Sequence, residues 1–139
     1  MRPRILVIVP SPRRLRLLTI LEQNGMETTA AGDFRDGQMK LKEQSYDLLF
    51  VDAEVPGGPW HGLLPAVVAS GKNCEVIVCS RCGDERLWAE VLQRGAYDMI
   101  AEPFEEEEVA RIAHCALGSH YLQRYGPAVK RPGSKTNAS

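Results

Sequence analysis

Leu48-Leu49-Phe50-Val51-Asp52 is the stretch on which the fold turns. Four apolar residues follow one another without the polar alternation of a half-exposed strand, and the run stops on a carboxylate. A short unbroken apolar run of this kind suits a parallel strand covered on both faces. Ile5-Leu6-Val7-Ile8-Val9 and Val76-Ile77-Val78-Cys79 read the same way. Two weaker candidates, residues 27–31 and 98–101, complete a set of five strands.

Helical patterns lie between and after these runs. Ser11 is a candidate N-cap with Pro12 at the first helical position. Leu15, Leu17, Leu18 and Leu21 then form an apolar stripe that Gly25 ends. Asp33 is placed to cap a second helix through Leu41, in which Gly37 costs about 1 kcal/mol relative to Ala. A short apolar helix is expected over residues 63–70. Residues 84–94 carry Leu87, Trp88, Val91 and Leu92, and residues 104 to about 117 carry Val109, Ile112, Ala113 and Ala116. Strand and helix alternate five times. The expected fold is α/β: a doubly wound (βα)5 five-stranded parallel sheet with helices on both faces, flavodoxin-like. In such sheets chemistry gathers outside the carboxyl ends of the strands. That places Pro10, Ser11, Asp52, Ser80, Arg81 and Glu102 around one crevice.

The chain has 139 residues, 44% apolar and 25% charged. This is a globular composition, long enough for one domain and short for two. The net charge of -1 gives no reason to expect a nucleic-acid binder, but it is unevenly placed. Residues 1–117 balance to -5, whereas residues 118–139 carry Arg124, Lys130, Arg131 and Lys135 and no acid. The domain is expected over residues 1–118, with a basic, flexible tail over 119–139. Met1-Arg2-Pro3-Arg4 leads into only a short apolar run, and nothing approaches the ~20 apolar residues of a membrane helix. A cytoplasmic setting with reduced cysteines and no membrane partner is therefore expected.

Further segments join Asp52 in a pattern. Tyr46-Asp47 precedes the central run, and Pro56-Gly57 follows it. Val76-Ile77-Val78-Cys79 ends on Ser80. Gly95-Ala96-Tyr97-Asp98-Met99-Ile100 is followed by Pro103-Phe104. Together, over roughly residues 4–117, these resemble the receiver domains of response regulators. The resemblance implies a phosphoacceptor at Asp52, a switch hydroxyl at Ser80 and a switch aromatic where Met99 stands. It also implies a divalent cation held by an acidic pair, by the acceptor Asp and by a backbone carbonyl, here that of Glu54. A lysine would clamp the phosphoryl group.

The departures concern charge. The acidic pair falls on Val9 and Pro10, and the lysine falls on Glu102. Arg81 replaces a small residue after the switch hydroxyl, and about two extra residues lie between Pro56 and Gly62. Phosphoryl transfer to a carboxylate brings anion toward anion and needs positive charge nearby. One carboxylate and one carbonyl are a poor start for magnesium, which wants about six oxygens. Magnesium is thus a weak expectation, and no cofactor is otherwise expected. Arg81, Arg13 and Arg14 leave from crevice loops, and one of them is expected to pair with Asp52 in place of the cation and lysine. The competing reading of Asp52 is a carboxylate that caps the following loop. For Glu102 it is an outward-turned side chain.

Other constellations are weaker. Cys79-Ser80-Arg81-Cys82 has redox spacing, but Cys79 should face the packed side opposite Ser80. One Cys-x-x-Cys with Cys74, Cys115 or His114 falls short of a zinc signature, and Cys115 is expected to pack. Glu105, Glu106, Glu107 and Glu108 suit a helix start. Trp60, on the loop after Asp52, reads as a partner contact, with His61 beside it exposed. No phosphate-binding glycine loop or nucleophile–base arrangement supports an enzyme. The expected function is a two-component signalling receiver that works through protein contacts without ordinary magnesium-dependent phosphorylation. Its partner would be a histidine kinase, a downstream effector or a second copy. The alternatives are a regulator phosphorylated at Asp52 and a small-ligand or flavin-binding module.

Overall fold

The structure, a computed structural model, describes residues 2–70, 73–81 and 84–125, with side chains described as far as residue 118. The elements alternate as β1 (Arg4–Ile8), α1 (Arg13–Gln23), β2 (Glu27–Ala30), α2 (Phe34–Glu43) and β3 (Leu48–Asp52). A short 3-10 turn (Trp60–Leu63) follows, then α3 (Leu64–Ala69), β4 (Glu75–Ser80), α4 (Glu85–Gln93), β5 (Asp98–Ala101) and α5 (Glu106–Tyr125). The five strands form one parallel sheet in the order β2-β1-β3-β4-β5. Chain order reverses between β1 and β3, and the crevice of a doubly wound sheet opens at that reversal.

Strand alternation divides the core into two layers. Ile5, Val7, Phe50, Ile77, Cys79 and Ile100 pack with Leu17, Ile20, Leu21, Val109 and Ile112 under α1 and α5. Leu6, Ile8, Leu49, Val51, Val76 and Val78 pack with Leu41, Leu63, Val67 and Val91 under α2, α3 and α4. Because both faces are covered, β1, β3 and β4 read as continuous apolar runs.

Helix ends differ locally from the sequence expectation. Asp33 caps α2 as expected, accepting from the Asp36 N–H, and the structure adds Asp84 as the cap of α4, accepting from the Leu87 N–H. The cap residue of α1 is Pro12 rather than Ser11, and no side chain caps it. Leu15 is 70% exposed instead of joining the apolar stripe. It lies about 200° around the helix from Leu17, on the opposite face. The last helix begins at Glu106 and continues to Tyr125, past position 118 where the domain was expected to end. Residues 126–139, including the tail's Lys130, Arg131 and Lys135, lie outside the described residues. Among the described residues no helix is long and apolar enough to cross a membrane.

Gly37 has a packing reason that helix propensity hides. A β-carbon there would sit 2.5 Å from Ile8 Cδ1, so any side chain at this position would have to push back the terminal methyl of Ile8 in the layer between α2 and β1. Phe34, the first residue of α2, covers the loop after β3. Its N–H donates to the Pro56 carbonyl at 2.9 Å. Its ring lies over Gly58 and Gly62, where β-carbons would meet ring carbons at 2.7 and 3.0 Å.

Candidate functional site

The phase of each strand decides where its last residue points. Asp52 follows Phe50 by two residues and Glu102 follows Ile100 by two, so both carboxylates leave on the α1/α5 side. Arg13, the first residue of α1, comes down on the same side. Its Nη1 donates to Asp52 Oδ1 at 3.0 Å and also to Glu102 Oε2. Asp52 Oδ2 accepts from the Glu54 N–H at 3.0 Å. The two readings of Asp52 therefore coexist: it caps its loop with one oxygen and pairs with an arginine through the other.

This triad is largely withdrawn from water. Asp52 is 4% exposed, and the Arg13 and Glu102 side chains are 17% and 16% exposed. Burial works against the Arg13 charge, but hydrogen bonds and attraction from Asp52 and Glu102 outweigh it, so the guanidinium pKa is raised above its usual value. The contact is not a two-nitrogen fork onto Asp52; one nitrogen serves two carboxylates. Arg16 Nε also donates to the Phe104 carbonyl at 3.2 Å, which ties α1 to the segment before α5.

The remaining positions fall as follows. Val9 is buried in the α1/α5 core, and Pro10 lends its carbonyl to the Arg14 N–H at 3.2 Å. Among the described residues neither Arg14 nor Arg81 donates to Asp52. Arg81 is exposed at the rim of a cleft of about 570 Å³, which Asp52, Ser80, Trp60, His61 and Leu87 also line. Ser80 has the phase of Val76 and Val78 and is 6% exposed. Met99 is half-buried against the layer under α4. Glu102 points inward, not out to solvent.

Trp60 corrects the expectation of a partner contact. It is 4% exposed and built into the core as the cleft wall, with His61 edge-on to it and only half-buried. Cys115 is exposed rather than packed. Cys79 is fully buried, and burial first, then the nearby Asp52 and Glu102 charges, push its thiol far up, the reverse of a reactive thiolate. Its spacing partner Cys82 lies outside the described residues.

The family's divalent cation does not suit this donor set. Val9 and Pro10 bring no carboxylate, and Asp52 Oδ1 and Glu102 Oε2 are both engaged by Arg13. Among the described residues no three or more His, Cys, Asp and Glu side chains gather to hold a metal. Sequence reasoning missed Phe34 and Arg16. Nothing in a chain position shows that a ring will lie over two glycines more than twenty residues on, or that an arginine will reach a carbonyl in the segment before α5.

A doubly wound sheet that presents a carboxylate at the end of its central strand and a hydroxyl at the end of the next defines a receiver-type signalling domain. The pattern of the response regulator receiver domain matches residues 11–114, and the chain belongs to that family. It is 30% identical over 119 residues to the chemotaxis protein CheY of Bacillus subtilis, covering 84% of this chain and 99% of that one. It is 33% identical over 116 residues to the phosphate regulon transcriptional regulatory protein PhoB of Klebsiella pneumoniae, covering 81% of this chain. The chain spans about half (51%) of PhoB's length. The receiver domain of the sensor histidine kinase PA1611 from Pseudomonas aeruginosa superposes with a TM-score of 0.75 at 22% identity, covering 86% of this chain and 100% of that one. That domain holds a magnesium ion in its active site cleft.

Proposed function

We propose that this receiver domain signals through protein contacts and has given up ordinary magnesium-dependent phosphorylation of Asp52. The observation that carries the reading is the single Arg13 nitrogen shared by Asp52 and Glu102. A phosphoryl donor would have to approach a carboxylate already engaged by an arginine, beside a second negative charge and without an acidic pair to seat a cation. Asp52 and Ser80 remain as relics of the acceptor site, and Met99 stands where the switch aromatic would. The domain is non-enzymatic and cytoplasmic. It engages a histidine kinase, a downstream effector or a second copy of itself, with no role for nucleic acid or membrane.

The test is incubation with magnesium and a small phosphodonor such as acetyl phosphate, followed by intact mass spectrometry. No adduct is expected. A stoichiometric phosphate adduct that disappears in Asp52→Asn would overturn the reading and make the chain a phosphorylatable regulator. The cleft of about 570 Å³ favours the small-ligand alternative, since its size falls within the range of ligand pockets. A colour or a bound mass retained by the natively purified protein would bring that reading forward.

A further inference from the structure

The misfit between this crevice and a divalent cation has a definite shape. Asp52 comes from β3 and Glu102 from just beyond β5, yet their Oδ1 and Oε2 atoms converge on one nitrogen. Two carboxylate oxygens directed at one point would attract a hard cation, though they supply only part of the roughly six oxygens it wants. Without positive charge between them they would disfavour each other's ionisation. The positive group that stands there belongs to the chain itself.

We infer that Arg13 is a built-in counter-ion that occupies the position between Asp52 and Glu102 and thereby keeps divalent cations out of the crevice. The inference rests on the proposed function's site and deepens it by saying what enforces the loss of the metal.

Three observations support it. Arg13 is the first residue of α1, and the turn before it is held by the Arg14 N–H on the Pro10 carbonyl. Its guanidinium is therefore tethered beside the carboxylates, and an ion from solution must compete with a group at high effective concentration. Second, the surroundings offer an incoming ion little else, because Val9 is apolar and buried and Pro10 has no donor side chain. Third, both carboxylates remain in place. The acidic pair is missing, but two anionic oxygens still face the crevice, one of them introduced by Glu102 itself. A receiver that had merely decayed would have no reason to present a second carboxylate to the arginine that neutralises the first. The exclusion does not relax near neutral pH, because a guanidinium keeps its proton there.

The experiment is a titration of the full chain with manganese(II) alone, followed by calorimetry, on the natural protein, Arg13→Gln, Arg13→Lys and the double variant Arg13→Gln/Asp52→Asn. The natural protein and Arg13→Lys should show no saturable binding at millimolar ion. Arg13→Gln should bind more tightly by at least about tenfold, since a unit charge a few ångströms away weighs heavily against a cation. The double variant should lose that gain. Thermal melts give a second readout: manganese should raise the midpoint of Arg13→Gln and leave that of the natural protein unchanged. If Arg13→Gln binds no better than the natural protein, or keeps its gain without Asp52, the inference is wrong. Should Arg13→Gln not fold alone, manganese must restore it or restore Arg13→Met. A chain that stays unfolded with the ion counts against the inference, because the ion was to replace the guanidinium. No phosphodonor is present, so these titrations judge Arg13 alone, whereas a phosphate adduct on the natural protein would overturn the proposed function.

Discussion

Arg13 and Glu102 stand 89 residues apart in the chain, yet Arg13 Nη1 donates to Glu102 Oε2 while holding Asp52 through the same nitrogen. The triad has one positive and two negative charges, so either carboxylate alone can satisfy the arginine. Asp52→Asn and Glu102→Gln, taken singly, should each change stability by less than about 1 kcal/mol, since losing one anion also removes carboxylate–carboxylate repulsion. The double variant strands a guanidinium that is only 17% exposed and should lose more than the sum of the two. A coupling of about 1 kcal/mol or more is expected from urea unfolding of the four chains. Strict additivity would show that the two carboxylates do not share the arginine as a unit.

Phe34 and Gly58 make the second testable pair. A β-carbon at Gly58 would come within 2.7 Å of the Phe34 ring, which is rigid and cannot yield as a flexible side-chain end would. Gly58→Ala should therefore cost about 1–3 kcal/mol. Phe34→Ala/Gly58→Ala should cost less than the sum of its parts, because without the ring nothing remains to clash. Equal costs in both backgrounds would place the strain elsewhere.

Gly37 sets helix propensity against packing. Ala in place of Gly inside a helix gains about 1 kcal/mol in isolation. Here the added methyl would meet Ile8 Cδ1 at 2.5 Å, and Ile8 is 1% exposed. Gly37→Ala should come out net destabilising by about 1 kcal/mol. Adding Ile8→Val, which removes the opposing Cδ1 methyl, should recover part of the loss. A stabilised Gly37→Ala would mean that β1 yields easily under α2.

Thiol reactivity should separate the cysteines. Cys115 is exposed and Cys79 is fully buried with its pKa raised by that burial. Iodoacetamide on the folded chain should label Cys115 and spare Cys79 until denaturant is added, as read by peptide mass spectrometry. The linkage has a sign as well. The folded chain keeps the Cys79 proton at pH values where an unfolded thiol, titrating near about 8.5, gives it up. This contribution is complete below that pH and is lost as pH rises above it. Cys79→Ala should flatten part of the alkaline fall in stability.

Much of the fold was legible because its signals are local. Apolar runs without alternation announce strands covered on both faces, and Asp33 announces a helix start through its own cap hydrogen bond. The order of elements then allows few topologies, and the observed strand order β2-β1-β3-β4-β5 is among them. Local reasoning failed where an outcome depended on a neighbour in space. Leu15 matches the helical stripe by type but lies on its far side, and Trp60 looks like a loop aromatic until it is buried in the core layer with Leu41, Leu63 and Val67.

The sequence by itself determined the parallel sheet, the carboxylates at the ends of the third and fifth strands, and the absence of an acidic pair at Val9 and Pro10. It brought three arginines to the crevice and could not choose among them. Only the tertiary structure decided that Arg13 is the one, that Glu102 turns inward, and that one nitrogen serves both carboxylates. The reason is that composition and local pattern specify which charges stand on which loops. Which of them meet depends on where α1 is laid by the packing of Leu17, Ile20 and Leu21 beneath α5.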